Sequence, residues 1–333
     1  MLNIGIIGAG RIGKVHTQSI VNYVRTAKVV AVADPFITEE TAAWAEGLGA
    51  KVTKDYLDII NDPAIDIVLI CSSSDTHSQI SLEAIAAGKH VFCEKPIDLD
   101  VGRINAVLDA LKAKPELKYT VGFNRRFDHN FRAIRKAVES GTIGKVELVK
   151  VTSRDPAPPS AEYAARSGGI FMDMTIHDFD MVRYLSGEEV ESVYVQPAVL
   201  VDPAIGEAGD FDSAVITLRL SSGALAVIDN SRRCAYGYDQ RAEVFGSLGS
   251  AASRNDAASN VRIATGDGVV AEKPLYFFLE RYMQAFATEV GEFIEAVVND
   301  TPVPVDAQAG LAAVLIGIAA TESAKTGLPV KVG

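Results

Sequence analysis

Two side chains four residues apart, Asp173 and His177, offer proton chemistry. On a helix, positions i and i+4 share a face. A carboxylate can then hold one imidazole nitrogen, orient the ring and stabilise its protonated form, leaving the other nitrogen as a general base. The same spacing also suits an Asp–His hydrogen bond that only steadies a helix, and spacing alone does not choose between them. A second chemistry comes from Gly8-Ala9-Gly10-Arg11-Ile12-Gly13, a Gly-x-Gly-x-x-Gly run directly after an apolar, β-branched stretch. Glycines there permit a tight turn and close backbone approach to a pyrophosphate, which sits at the positive N-terminus of the following helix. Asp34 ends the next apolar run, 21 positions after Gly13, where a carboxylate accepts hydrogen bonds from an adenosine ribose. That carboxylate repels a 2′-phosphate, and Pro35-Phe36 follow it instead of an arginine, so NAD is expected over NADP.

These residues need a scaffold. Short β-branched runs at Asn3–Gly8, Val29–Asp34, Ile65–Cys71, His90–Cys93 and Tyr119–Gly122 alternate with helical stretches near 13–24, 39–47, 55–61, 77–87 and 99–113. That alternation predicts βαβ units and a parallel sheet. After residue 122 the pattern changes. A helix is expected over Phe127–Ser140, a strand over Lys145–Arg154, and a proline-rich turn over 155–160. One helix is then expected from Ser167–Gly169 through Leu185. Alternating apolar and polar residues from Val190 to Ile263 predict an antiparallel sheet, and Tyr282–Lys325 returns to helix. The expected fold is α/β: a Rossmann dinucleotide-binding domain over 1–122, then an α+β domain over 123–333 with a large, mostly antiparallel sheet.

Bulk properties narrow the function. A formal net charge of −11 disfavours nucleic acid and anionic membranes as partners. Cys71, Cys93 and Cys234 form no CxxC pair and read as packed thiols of a reducing compartment. His16, His90 and His129 show no partner pattern, no HExxH is present, and no metal is expected. The N-terminus carries no basic, cleavable leader, and the apolar run Ala307–Thr321 is short for a membrane span, so a cytoplasmic location is expected.

The segment Cys93-Glu94-Lys95-Pro96, just after a strand of the first domain, resembles the Glu-Lys-Pro signature of the Gfo/Idh/MocA oxidoreductase family. Ile70-Cys71-Ser72-Ser73-Ser74-Asp75-Thr76-His77 resembles the loop after that family's fourth strand, with three serines where Thr-Pro-Asn is usual. Phe123–Asp128, Ser153–Pro156 and Gly168–Asp180 look most like family members that oxidise myo-inositol. The resemblance spans the chain. It implies Lys95, Asp173 and His177 as catalytic residues, with His177 taking the hydroxyl proton and Lys95 stabilising alkoxide character beside the nicotinamide. It implies a peptide bond before Pro96 that is often cis, and Glu94 against the nicotinamide ribose.

A ring of hydrogen-bonding groups suits a neutral polyol better than one strong charge. Asn124, Arg125, Asp155 and Tyr236 are the candidates, Arg125, Asp155 and Tyr236 with support from the resemblance, whereas Arg126 and Arg154 equally fit structural ion pairs and Asp178 and Asp180 read as structural. Gly8, Gly10, Arg11, Ile12, Gly13, Asp34, Ser72, Ser73, His77, Glu94 and Lys95 are the expected cofactor contacts. Related readings are a dehydrogenase of scyllo-inositol, D-glucose or another cyclic polyol. A reading of another class is a non-catalytic NAD sensor, which has no chemical reason to keep Lys95, Asp173 and His177. Apolar residues on both alternating sets of Ser192–Leu200 and Ala224–Asn230 predict a face buried against another subunit, and the resemblance implies a homotetramer.

Overall fold

The computed structural model describes residues 1–333, with the side chains of Ala161, Ala165 and Arg166 left undescribed. The chain separates into two compact units, Met1–Asn124 with Gln284–Val314, and Arg125–Met283 with Leu315–Gly333. The first boundary falls within two residues of the expected one. The C-terminal stretch, however, is divided between the units instead of belonging wholly to the second.

In the first unit, strands β1 (Leu2–Ile7), β2 (Ala27–Ala33), β3 (Lys51–Thr53), β4 (Ile67–Ile70), β5 (His90–Glu94) and β6 (Tyr119–Gly122) form one sheet in the order β3-β2-β1-β4-β5-β6. All neighbours are parallel. Ile4, Ile6, Ile67, Val68, Leu69 and Ile70 are fully buried, as expected for a parallel sheet covered on both faces. β3 escapes a sequence reading because it is three residues long and partly exposed. Chain order reverses between β1 and β4, the crevice where such sheets bind ligands. Val290, Phe293 and Ile294, from the helix Met283–Asn299, complete the hydrophobic core beside β1 and β2.

In the second unit, β7 (Val146–Arg154), β8 (Val190–Ala198), β9 (Ser213–Leu220), β10 (Leu225–Ser231), β11 (Asp239–Gly246), β12 (Gly249–Ala252) and a C-terminal strand, Val330–Lys331, form a sheet. Every pairing is antiparallel except β7 with β10. Alternation sorts the side chains: Val149, Val151, Ile216, Leu218, Ala226, Ile228 and Val244 are buried on one face. The helix Ile176–Ser186 packs along β7, and His129–Glu139 packs against β11. The opposite face exposes Leu148, Val215, Leu225 and Phe245. A two-stranded hairpin, Arg262–Thr265 with Gly268–Ala271, is exposed at every position.

The helix expected from Ser167–Gly169 to Leu185 is interrupted. A single turn, Ile170–Asp173, is separated from Ile176–Ser186 by Met174 and Thr175. Asp173 and His177 thus flank a break instead of occupying one continuous helical face. The final helix, Ala307–Thr326, runs beyond the expected apolar stretch and is long and apolar enough to cross a membrane, yet 61% of that window is buried inside the protein.

Candidate active site

The glycine turn joins β1 to the helix Arg11–Tyr23, and each glycine answers a different constraint. Gly8 has φ 98°, and a Cβ there would lie 2.5 Å from the Cys71 carbonyl and 2.6 Å from Ser72 N. The loops after β1 and β4 therefore touch through backbone alone. A Cβ on Gly13 would lie 2.0 Å from the Gly8 oxygen. Gly10 differs: a Cβ there meets nothing within 4 Å. Protein packing does not require glycine at position 10, whereas close approach of a pyrophosphate does. Asp34 follows β2 directly, with one carboxylate oxygen accepting from Ala9 N and the other from Phe36 N, both at 2.8 Å. The carboxylate is thereby fixed beside the glycine turn. Arg11 is exposed and Ile12 half-buried at the start of the helix. These features fit a dinucleotide.

Ser72 and Ser73 lie in the loop after β4, where the Ser72 hydroxyl pairs with that of Thr76 at 2.7 Å. His77 behaves differently from the expected cofactor contact. It is 1% exposed, with Nδ1 donating to the Pro96 carbonyl at 2.8 Å and Nε2 to the Ser72 carbonyl at 3.1 Å. Two carbonyls accept only, so this geometry calls for the doubly protonated ring. Burial opposes the charge, but the Cys93 sulfur and the two carbonyls outweigh it and push the pKa up to about 9. His77 thus ties the β4 loop to the Glu-Lys-Pro loop from behind. The Lys95–Pro96 peptide is cis, and Lys95 is half-buried.

Glu94 is held from two sides: His16 Nε2 lies 2.7 Å from Oε1, and Lys95 N donates to Oε2 at 3.3 Å. A Cβ on Gly122 would crowd the same carboxylate at 2.9 Å. His16 is fully buried on the helix that the glycine turn opens. Its partner lies 78 residues away in sequence, so no local pattern announces it.

The second unit holds a cluster of buried polar groups along β7, β10 and the interrupted helix. Asp173 accepts from the Tyr163 hydroxyl at 3.0 Å and from Arg232 Nη1 at 3.3 Å. Asp178, expected to be structural, is fully buried with Arg125 Nη1 at 2.6 Å and Asn230 Nδ2 at 2.9 Å. Thr175 donates to Asn230 Oδ1 at 2.7 Å, which anchors the break just before His177. Asp180 pairs with Arg126 and Asp229 with Arg154, so both arginines form ion pairs. Arg125, expected to face substrate, is 4% exposed and engaged by Asp178 and Ser153. Its charge stays in the cluster while its fork is largely spent on protein.

Asp155 is a strongly perturbed carboxyl of this cluster. Burial raises its pKa to about 7, against the lowering pull of Arg125 and Arg232, with Asp173 and Asp178 adding to the rise. A carboxyl poised near neutrality, among the charges of Arg125, Arg232, Asp173 and Asp178, suits hydrogen bonding to a neutral hydroxylated ligand. Tyr236 is 43% exposed, and its hydroxyl donates to Asp239 at 2.5 Å, which pushes the phenol up to about 12. Asn124, in the first unit, is buried in the turn that follows β6. Asn230 and Arg232 escaped the sequence reading; Asn230 lies opposite Ser153 near the end of β10, and Arg232 follows the strand by one residue. Among the described residues, Asp128, His129 and Asp256 come together with metal-ligand spacing, but Arg281 already bonds both carboxylates.

Comparison with known proteins agrees with this arrangement. Residues 2–123 match the oxidoreductase family with NAD-binding Rossmann fold, and residues 131–252 match the GFO/IDH/MocA C-terminal domain. The chain is 47% identical over 323 residues to the myo-inositol 2-dehydrogenase of Thermotoga maritima, covering 97% of this chain and 96% of that one. It is 48% identical over 321 residues to the inositol 2-dehydrogenase of Rhizobium meliloti, covering 96% of each. The crystal structure of scyllo-inositol dehydrogenase from Lactobacillus casei with bound NAD(H) and scyllo-inositol superposes with a TM-score of 0.93 at 31% identity, covering 100% of this chain and 99% of that one. With both domains matched and near-half identity over almost its whole length, this chain belongs to the Gfo/Idh/MocA family of oxidoreductases.

Proposed function

We propose that this protein oxidises myo-inositol to 2-keto-myo-inositol with NAD. The observation that carries the reading is near-half identity over almost the entire chain to proteins named for this activity. Support comes from the second unit, where Asp155 lies among the charges of Arg125, Asp173, Asp178 and Arg232, a polar cluster suited to an uncharged polyol. NAD, when bound, supplies the nicotinamide that takes up hydride from the carbinol carbon.

The chain's own residues do the rest. Gly8, Gly10 and Gly13 let the backbone approach the pyrophosphate, and Asp34 receives the ribose hydroxyls. His177 takes the hydroxyl proton as the C–H bond breaks and the C=O bond forms. Asp173 favours the resulting imidazolium, and the Lys95 ammonium lowers the energy of the developing alkoxide. Asp155 accepts from a ring hydroxyl. An inositol lacking the matching hydroxyl leaves such a buried group unpaired, at about 1–3 kcal/mol each.

The exposed apolar side chains Leu148, Val215, Leu225 and Phe245 on the open sheet face favour cover by another copy of the chain, in a homotetramer. A cytoplasmic location fits three buried free thiols. The direct test follows NADH absorbance with myo-inositol, scyllo-inositol, D-chiro-inositol, D-glucose and D-xylose. The expected result is the highest kcat/KM for myo-inositol with NAD. No turnover of any inositol by protein that binds NAD overturns the reading. A monomeric mass by light scattering overturns the assembly.

A further inference from the structure

We propose that Arg232 is a positioning residue that holds the Asp173 carboxylate in place, so that Asp173 can serve His177. This rests on the proton-transfer reading above. Arg232 is 1% exposed and follows β10 by one residue. Its guanidinium spans two carboxylates: Nη1 lies 3.3 Å from Asp173 and Nη2 3.3 Å from Asp210. The other Asp210 oxygen accepts from Ile170 N at 2.9 Å, at the start of the single helical turn that ends in Asp173. The connection is closed. Asp210 fixes where the turn begins, Arg232 fixes where it ends, and each is bonded to the other.

The turn needs that help. Ile170–Asp173 is too short to be rigid by itself, and the break at Met174–Thr175 removes the continuous helix that would otherwise set Asp173 against His177. A Cβ on Gly169 would stand 2.8 Å from Asp210, so the chain passes directly over that carboxylate. On the far side of the break, Asn230 holds Thr175 and Asp178. Asn230 near the end of β10 and Arg232 just beyond it thus secure the two segments that carry Asp173 and His177, and of these Arg232 alone brings charge.

A purely structural ion pair would support folding and leave the chemistry alone. The position of Arg232 gives a way to tell the two apart. Asp155 is faced by the cations Arg125 and Arg232, the carboxylates Asp173 and Asp178, and the Tyr238 phenol. Removing the charge at 232 therefore moves the ionisation of Asp155 to higher pH, whereas a lysine keeps the charge and loses the fork.

The experiment compares Arg232→Met, Arg232→Lys and His177→Ala with the unmodified enzyme for melting temperature, NAD affinity and kcat/KM across pH with myo-inositol. Arg232→Met is expected to bind NAD within twofold of the parent, lose about 100-fold in kcat, and shift its pH midpoint upward. Arg232→Lys is expected to keep the parental midpoint and recover part of kcat. If Arg232→Met does not fold, Arg232→Lys decides: a parental kcat shows the fork is not needed and overturns the proposal. A folded Arg232→Met with kcat within twofold, or with an unmoved midpoint, overturns it as well. Undiminished turnover in His177→Ala instead overturns the proton-acceptor reading, and the present proposal falls with it. Loss in His177→Ala with undiminished Arg232 variants removes only the proposal.

Discussion

Replacing Gly10 and Gly13 separately by alanine should part ligand binding from packing. At Gly10 the backbone has φ −70° and ψ −166°, which alanine adopts without strain, and the added methyl meets no protein atom within 4 Å. Alanine also restricts the unfolded chain, so Gly10→Ala should leave stability unchanged or raise it by about 0.4–1 kcal/mol. The same methyl fills the space through which a pyrophosphate must approach the helix N-terminus. Losing one or two charge-assisted hydrogen bonds at roughly 1.5–3 kcal/mol each weakens NAD binding by about 10-fold or more. Gly13→Ala inverts the pattern, because its methyl would sit 2.0 Å from the Gly8 oxygen and the two backbones must separate. Overpacking of that kind costs about 1–3 kcal/mol, a fall in Tm of several degrees. The assay is thermal melting with and without NAD, paired with NAD titration by calorimetry. Undiminished NAD affinity in Gly10→Ala would refute the assignment of that space to the cofactor, and an unchanged Tm in Gly13→Ala would refute the crowding argument.

Other consequences can be checked as directly. Asp34→Ser removes the carboxylate that repels a 2′-phosphate and should move the NAD:NADP ratio of kcat/KM at least about 10-fold toward NADP; an unmoved ratio assigns discrimination to another residue. His77 has a folded-state pKa of about 9 against an ordinary 6.5, so its contribution is fully present below pH 6.5 and lost as pH rises through 9. At about 1.4 kcal/mol per pKa unit this is of order 3 kcal/mol, and Tm should fall between pH 7 and 10, with His77→Gln flattening that fall. Asp155 ionises near pH 7, so kcat/KM should rise as pH passes through 7. Asp155→Asn should raise KM and change that limb of the profile; an unaltered profile excludes Asp155 from the titration.

The first unit was largely readable because its signals are local. An apolar run, a glycine turn and an amphipathic helix follow one another within about 20 residues, and a parallel sheet follows from that repetition. Asp34 and Lys95-Pro96 fall at strand ends for the same reason. What the sequence hid was long-range pairing. Nothing near His16 announces Glu94, and nothing near Arg232 announces Asp173 and Asp210, because these contacts exist only after strands have been brought together. The helix break at Met174–Thr175 was hidden as well: residues 170–186 carry no proline, and the interruption coincides with the Thr175–Asn230 hydrogen bond. The tie that His77 makes was hidden for a related reason. The residue's place at the start of a helix near the crevice was legible, but the Pro96 carbonyl that engages its Nδ1 lies in another loop, 19 residues on.

The division of the C-terminal helices bears on how the chain is made. Residues 1–124 contain every strand of the parallel sheet, yet the core around β1 and β2 includes Val290, Phe293 and Ile294. A ribosome that has delivered the nucleotide-binding strands has not delivered their full cover, and some 160 residues of the second unit must emerge before it arrives. The first unit to be synthesised is therefore not the first that can finish folding. A fragment ending at 124 loses the Phe293 ring that packs edge-on against Phe92, and should depend on chaperones or aggregate. The order of residues in the gene and the order of completion in the cell are, for this protein, different sequences of events.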